Sequence, residues 1–163
     1  MIPLCLILGD SIAVGTSAAL AISGFQCETR AQIGASSSDA VRSATKSLSA
    51  SLVVIAIGSN DPRNPELLQN LEAIRRRTAS RRVVWVAPYN PAASAIVRTV
   101  AVTFGDTVLQ LNRFRTRDGI HPVSYRAIAR MVGLARPTLR LMGDQPAAPG
   151  AQRAVRQAAV ITF

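Results

Sequence analysis

The 163-residue sequence is poor in the residues that most often announce a chemistry: it has two cysteines, one histidine, one tryptophan and only 4% aromatic residues. Neither cysteine has a partner at a zinc-binding spacing, so no structural metal site is expected. Cys5 and Cys27 fall within two stretches that read as strands. A free cysteine there behaves as a small buried hydrophobe, and a disulfide is not favoured. Long hydrophobic runs are also missing. The apolar start, Ile2 to Leu8, is too short to span a bilayer, lacks a basic leader, and runs into Gly9-Asp10-Ser11 rather than a small-residue cleavage site. It reads as a strand. A soluble chain without an export signal is therefore expected, cytoplasmic by default, with another export route or a viral particle as the alternative. Acidic residues are scarce as well, 9 against 19 basic ones, for a formal net charge of +10. Such a balance can attract nucleic acid, anionic glycans or anionic lipid. However, all but one of the basic residues are arginine in an alanine-rich chain, a pattern that GC-rich coding produces with no partner at all. Nucleic acid is not the favoured partner.

What is present is a globular composition, 48% apolar, of a length that suits one domain with one core. Residues 1–142 read as that domain. From Gly143 onward Gly, Pro, Gln and Ala dominate, so residues 143–163 read as a tail or linker. Short apolar runs alternate with longer amphipathic stretches, the pattern of parallel strands joined by helical crossovers. Strands are expected at Leu4 to Leu8, Phe25 to Arg30, Leu52 to Ile57, Val83 to Ala87 and Thr107 to Leu111. Helices are expected at Ile12 to Ile22, Ser38 to Leu48, Pro65 to Thr78, Ala92 to Thr103, and from Pro122 to about Leu141. Asn64-Pro65-Glu66 reads as a helix start with proline in the first turn.

In a parallel α/β sheet, ligands collect outside the carboxyl ends of the strands. There the sequence places Gly9-Asp10-Ser11, Gln32-Ile33-Gly34, Gly58-Ser59-Asn60-Asp61, Tyr89-Asn90 and Asp118-Gly119-Ile120-His121. Acyl transfer needs a hydroxyl nucleophile, a base, a carboxylate to orient the base and donors for the oxyanion. Ser11, at a strand-to-helix turn, is the candidate nucleophile, although Gly-Asp-Ser before a helix is by itself ordinary capping chemistry. His121 is the one histidine and so the one candidate imidazole base, and Asp118, three residues earlier, can hold its tautomer. Asn60 offers an amide donor and Gly34 an unobstructed backbone N–H. Asp10 reads as a brace for the loop and a candidate substrate contact, and Tyr89 and Asn90 as candidate pocket residues. Asp61, before Pro62, reads as turn chemistry. Arg113, Arg115 and Arg117 alternate just ahead of the Asp118 loop and, if extended, share a face.

Taken together, Gly9-Asp10-Ser11-Ile12, Gly34, Gly58-Ser59-Asn60-Asp61 and Asp118-Gly119-Ile120-His121-Pro122 resemble, in order, four motif blocks of the SGNH (GDSL-like) hydrolases. The resemblance spans most of the domain and leaves out the tail; Ile12 stands where the name-giving motif has leucine. It implies a flavodoxin-like three-layer α/β sandwich, with five parallel strands in the order 2-1-3-4-5 and helices on both faces. It further implies a Ser11-His121-Asp118 triad, and an oxyanion hole from the N–H groups of Ser11 and Gly34 and the Asn60 side chain. No cofactor or metal is implied. The expected activity is a serine esterase acting on short, acetyl-sized esters of a small molecule or glycan. Lipase-like and thioesterase activities stay open, as does a non-catalytic binding module with a basic surface. A flavodoxin-like cofactor binder would need a phosphate-cradling loop, for which Ser36-Ser37-Ser38 is a faint candidate.

Overall fold

The computed structural model describes residues 3–44 and 48–134. The boundary expected at residue 142, the tail at 143–163 and the far end of the last expected helix lie outside the described residues. Among the described residues seven strands occur: β1 (Cys5–Gly9), β2 (Glu28–Ala31), β3 (Leu48–Ser49), β4 (Leu52–Ala56), β5 (Thr78–Ala79), β6 (Val83–Ala87) and β7 (Thr107–Gln110). Five helices join them: α1 (Ser11–Ile22), α2 (Ser37–Ser43), α3 (Leu67–Arg76), α4 (Pro91–Phe104) and α5 (Arg126–Leu134). The main sheet is parallel and runs β2-β1-β4-β6-β7, which is the expected 2-1-3-4-5 when its five strands are counted along the chain.

The three central strands are buried throughout because both faces of the sheet are covered. Alternate residues feed two separate cores. Leu6, Leu8, Val53, Ile55 and Trp85 pack with Ala40 of α2, Leu67, Leu71 and Ile74 of α3, and Ala93 and Val97 of α4. Ile7, Leu52, Val54, Val84 and Val86 pack on the other side with Ile12, Ala13 and Leu20 of α1 and Ile128, Ala129 and Val132 of α5. The result is a three-layer sandwich. The helix starts are local events: Asn90 caps α4 ahead of Pro91, and a reciprocal Ser36 and Asp39 capping box opens α2.

Several expected boundaries move, each for a tertiary reason. The second helix stops at Ser43 instead of Leu48, since Leu48 and Ser49 pair with Thr78 and Ala79 in a separate two-stranded sheet. That pairing also ends α3 at Arg76 rather than Thr78. Asn64 does not start α3 either; its backbone and side-chain oxygens accept from Leu67 and Glu66 in a preceding turn, and the helix begins at Leu67. The last helix begins at Arg126 because Pro122 bridges Thr116 and the Val123 N–H is taken by the Arg115 carbonyl.

The cysteine expectation is overturned. Cys5 and Cys27 form a disulfide, with Cα atoms 4.5 Å apart. Leu6 pairs with Glu28 across neighbouring parallel strands, so the residues one step earlier, Cys5 and Cys27, face each other. Cys27 lies just ahead of β2 and not inside it.

Candidate active site

At the carboxyl end of β1 the chain turns sharply into α1. Gly9 has φ +146°, and a Cβ there would sit 1.7 Å from the Ala56 carbonyl oxygen of β4, so only glycine fits. The following N–H, of Asp10, donates to that same carbonyl at 2.9 Å, pinning the turn to the neighbouring strand. Asp10, not Ser11, caps the helix, its Oδ1 accepting from the Ile12 N–H at 2.9 Å. Ser11 is thereby freed from capping and becomes the first helical residue, whose N–H has no partner within the helix. Asp10 itself is fully buried, which corrects its reading as a substrate contact and bears on the bracing one. Its Oδ2 has no hydrogen-bond partner, and burial pushes its carboxyl up to about 6. The Ile12 N–H and the nearby Ser59 oppose that rise, but Ser59 makes no hydrogen bond of normal geometry to Oδ2.

The second half of the site comes from the loop after β7. Thr116 bridges Pro122, and between them residues 117–121 form a tight bend in which the Thr116 hydroxyl accepts from the Gly119 N–H at 2.9 Å. Asp118 Oδ1 accepts from the N–H groups of His121 at 2.7 Å and Ile120 at 2.9 Å, and from the Thr116 hydroxyl at 3.2 Å. Its Oδ2 lies 2.6 Å from His121 Nδ1. The His121 backbone N–H, followed by its ring and the Ile120 N–H, holds the Asp118 carboxyl well below the usual carboxylate range. An ionised carboxylate can only accept, so Nδ1 carries a proton, and in the neutral ring Nε2 is then the nitrogen with the lone pair. That Nε2 lies 2.9 Å from Ser11 Oγ, 110 residues away in sequence. Ser11, His121 and Asp118 therefore stand in one hydrogen-bonded row.

Gly34 and Asn60 come from the loops after β2 and β4. Asn60 Nδ2 donates to the Ala35 carbonyl at 2.9 Å, which uses one amide proton and leaves the other. Gly34 has φ +80°, with open space where a side chain would stand, and its N–H meets no acceptor among the described residues. A polar network that sequence reasoning missed locks these two loops together. Asp61 Oδ2 accepts from the Ser37 N–H at 3.0 Å, the Ser37 hydroxyl at 2.5 Å and Asn64 Nδ2 at 3.0 Å, and Asn70 Nδ2 donates to the same hydroxyl at 2.9 Å. Asp61, read as a turn residue, is thus the hub of a loop-to-loop clamp. Sequence carries little signal for it, because Ser37, the partner that joins the loops, lies 24 residues away. Thr116 was missed for the opposite reason, being an ordinary polar residue two positions from Asp118.

Tyr89 and Asn90 line a cavity of about 380 Å³ together with Ser59, Pro62, Pro88, Pro91, Gly119 and Ile120. It opens beside the His121 loop. The Tyr89 hydroxyl is already engaged, donating to the Phe114 carbonyl at 3.2 Å, and Asn90 Oδ1 is held by the Ala93 N–H. Both shape the pocket more than they offer it free polar groups. Among the described residues, no group of three or more His, Cys, Asp or Glu could hold a metal ion, and no helix is long and apolar enough to cross a membrane.

The chain shares its fold, a mostly parallel α/β sandwich, with several solved structures. One is a carbohydrate acetylesterase family member from Sinorhizobium meliloti, with TM-score 0.60 at 18% identity, covering 83% of this chain and 98% of that one. Another is the catalytic domain of peptidoglycan O-acetyltransferase A from Streptococcus pneumoniae, with TM-score 0.56 at 18% identity, covering 83% and 90%. An aryl esterase of M. smegmatis is similar at TM-score 0.57 and 14% identity, covering 80% and 98%. No protein-family model matches the chain, and no curated protein matches it in sequence.

Proposed function

We propose that the protein is a serine esterase that removes acetyl-sized acyl groups from a carbohydrate through a Ser11-His121-Asp118 triad and an acyl-enzyme. The observation that carries this reading is the unbroken row from Ser11 Oγ through His121 to Asp118, at 2.9 and 2.6 Å. His121 Nε2 takes the Ser11 proton as Oγ attacks the ester carbonyl, and Asp118 stabilises the imidazolium that forms. His121 then gives the proton to the leaving alcohol. Water, activated by the same nitrogen, releases the acid. In this reading the oxyanion is held by the N–H groups of Ser11 and Gly34 and the remaining Asn60 amide proton, donors of the kind that stabilise developing negative charge. The acetyl and carbohydrate assignments are supported by the names of similar structures, a carbohydrate acetylesterase and a peptidoglycan O-acetyltransferase.

Hydrolysis of p-nitrophenyl acetate, butyrate and octanoate, alongside acetylated xylan, tests the reading in the parent and in Ser11→Ala. The expected result is Ser11-dependent release, fastest on acetate and measurable on the polysaccharide. A parent no faster than Ser11→Ala on every ester would overturn the esterase, and a preference for octanoate would turn the reading to a lipase-like enzyme. Asn60→Ala should lose about a hundredfold to a thousandfold in kcat. Unchanged turnover would remove Asn60 from the oxyanion hole.

A further inference from the structure

The segment leading into the His121 loop carries Arg113, Arg115 and Arg117, all exposed. None of the three makes a side-chain hydrogen bond or ion pair among the described residues. Elsewhere, Arg30, Arg42, Arg75 and Arg76 each pair with an acid and Arg77 donates to a carbonyl, whereas Arg63, Arg81, Arg98, Arg126 and Arg130 are exposed and also make no side-chain bond among the described residues, so what distinguishes the three is their place beside the His121 loop. The backbone beneath the three is held firmly. Arg113 closes a 3-10 turn, Leu111–Arg113, and the Arg115 carbonyl accepts from the Val123 N–H at 2.8 Å. Thr116 bridges Pro122 in antiparallel register, so Arg115 stands across from Val123 and Arg117 across from His121. Arg115 and Arg117 thus flank the proposed base on one arm of a short two-armed loop, with Arg113 in the turn that leads into it. The one carboxylate in that loop, Asp118, is engaged by His121 and by backbone N–H groups.

We propose that the carbohydrate ester is anionic, a glycan bearing carboxylates along its chain, and that Arg113, Arg115 and Arg117 bind those carboxylates while the acyl group lies against Ser11. This rests on the esterase reading above. Three guanidinium groups without partners among the described residues make a positive strip on a backbone tied to the His121 loop, and at physiological salt such a charge acts over a Debye length of about 8 Å. Their planar forks match carboxylates better than ammonium groups would. A nucleic acid satisfies the same charge but offers no acyl ester for Ser11 to cleave, so the glycan is the occupant assigned.

The test compares an O-acetylated polygalacturonate with an O-acetylated glucomannan, which is neutral. For the parent, raising ionic strength from 20 to 500 mM should increase KM for the acidic ester about tenfold and leave the neutral one level. In R113A/R115A/R117A, the ratio of acidic to neutral kcat/KM should fall about tenfold, and the triple lysine variant should recover most of the salt response. Binding of polygalacturonate to Ser11→Ala, followed by titration calorimetry, reads the strip without catalysis. If p-nitrophenyl acetate hydrolysis is absent but that binding is arginine-dependent, the strip stands and the esterase fails. A salt-independent KM with equal ratios in parent and variant overturns the strip while leaving the esterase intact. Affinity for duplex DNA equal to that for polygalacturonate would mark a general polyanion surface and overturn the glycan assignment.

Discussion

Ahead of β7, at the amino edge of the sheet, Asp106 receives the Arg75 guanidinium in two hydrogen bonds, at 2.6 and 2.9 Å, and the Trp85 indole N–H at 2.9 Å. Arg75 also donates to the Thr78 carbonyl and lies over the Phe104 ring. At the carboxyl edge Asp118 receives His121 at 2.6 Å. The distances are alike, but the settings differ: the Arg75 and Asp106 side chains are 15% and 4% exposed, those of His121 and Asp118 42% and 52%. A buried pair in which both carboxylate oxygens accept locks α3 to the start of β7, and breaking it strands a charge in the core. An exposed pair contributes little to stability and stays free to move a proton. The disulfide belongs to the first setting, joining Cys5 at the start of β1 to Cys27 beside it. The Arg75 and Asp106 pair holds the amino edge of the sheet together, whereas the His121 and Asp118 side chains at the carboxyl edge stay open to solvent.

The sharpest way to break this contrast is to neutralise both carboxylates. Asp118→Asn should lower kcat by about a hundredfold to ten-thousandfold while barely moving the thermal midpoint. Asp106→Asn should do the reverse, costing about 3–5 kcal/mol of stability with kcat of the folded enzyme retained. Esterase assays and denaturant titrations of the two variants check both halves, and a large loss of stability in Asp118→Asn would erase the distinction. Next in size is the disulfide, which closes a loop of 22 residues. Its reduction should cost about 3 kcal/mol, read as a shift in denaturant midpoint with and without reductant. An unmoved midpoint would assign amino-edge stability to packing alone.

The smallest effect is a pH dependence. Burial raises the Asp10 carboxyl to about 6 from 3.8, so the folded chain holds that proton more tightly than the unfolded one. Its contribution to stability is complete below about 3.8 and is lost as pH rises through about 6, at most about 3 kcal/mol in all. Asp118, whose carboxyl is lowered, acts in the opposite sense and loses its contribution as pH falls. Stability of the parent relative to Asp10→Asn should therefore decline between pH 4 and 7. A difference that stays flat across that range would show that Asp10 keeps its charge when buried.

Much of the architecture was legible because strand burial and helix caps are local signals. The apolar runs at Leu52 to Ile57 and Val83 to Ala87, and the polar residues following each strand, sufficed to anticipate a parallel sheet with its chemistry at one edge. Ser11, Asp118 and His121 were nominated by residue type and by position after a strand. The cysteine pair was misread because each residue, taken singly, looks like a small hydrophobe, and only the register of β1 on β2 puts them opposite one another. Helix ends were misplaced where a distant strand claimed the residues, as Thr78 did with Leu48.

By itself the sequence determined the α/β class and the inventory of a strand-end serine, one imidazole and a nearby carboxylate, since these depend on periodicity and residue identity, while the layers and the strand order were implied by the motif resemblance. Tertiary structure alone decided that Asp10 rather than Ser11 caps α1, that Asp61 clamps two loops, that the cysteines join, and that Ser11 reaches across 110 residues to His121. Each of those outcomes depends on which strands lie side by side and on what packing removes from water, and neither quantity is a property of any local stretch of chain.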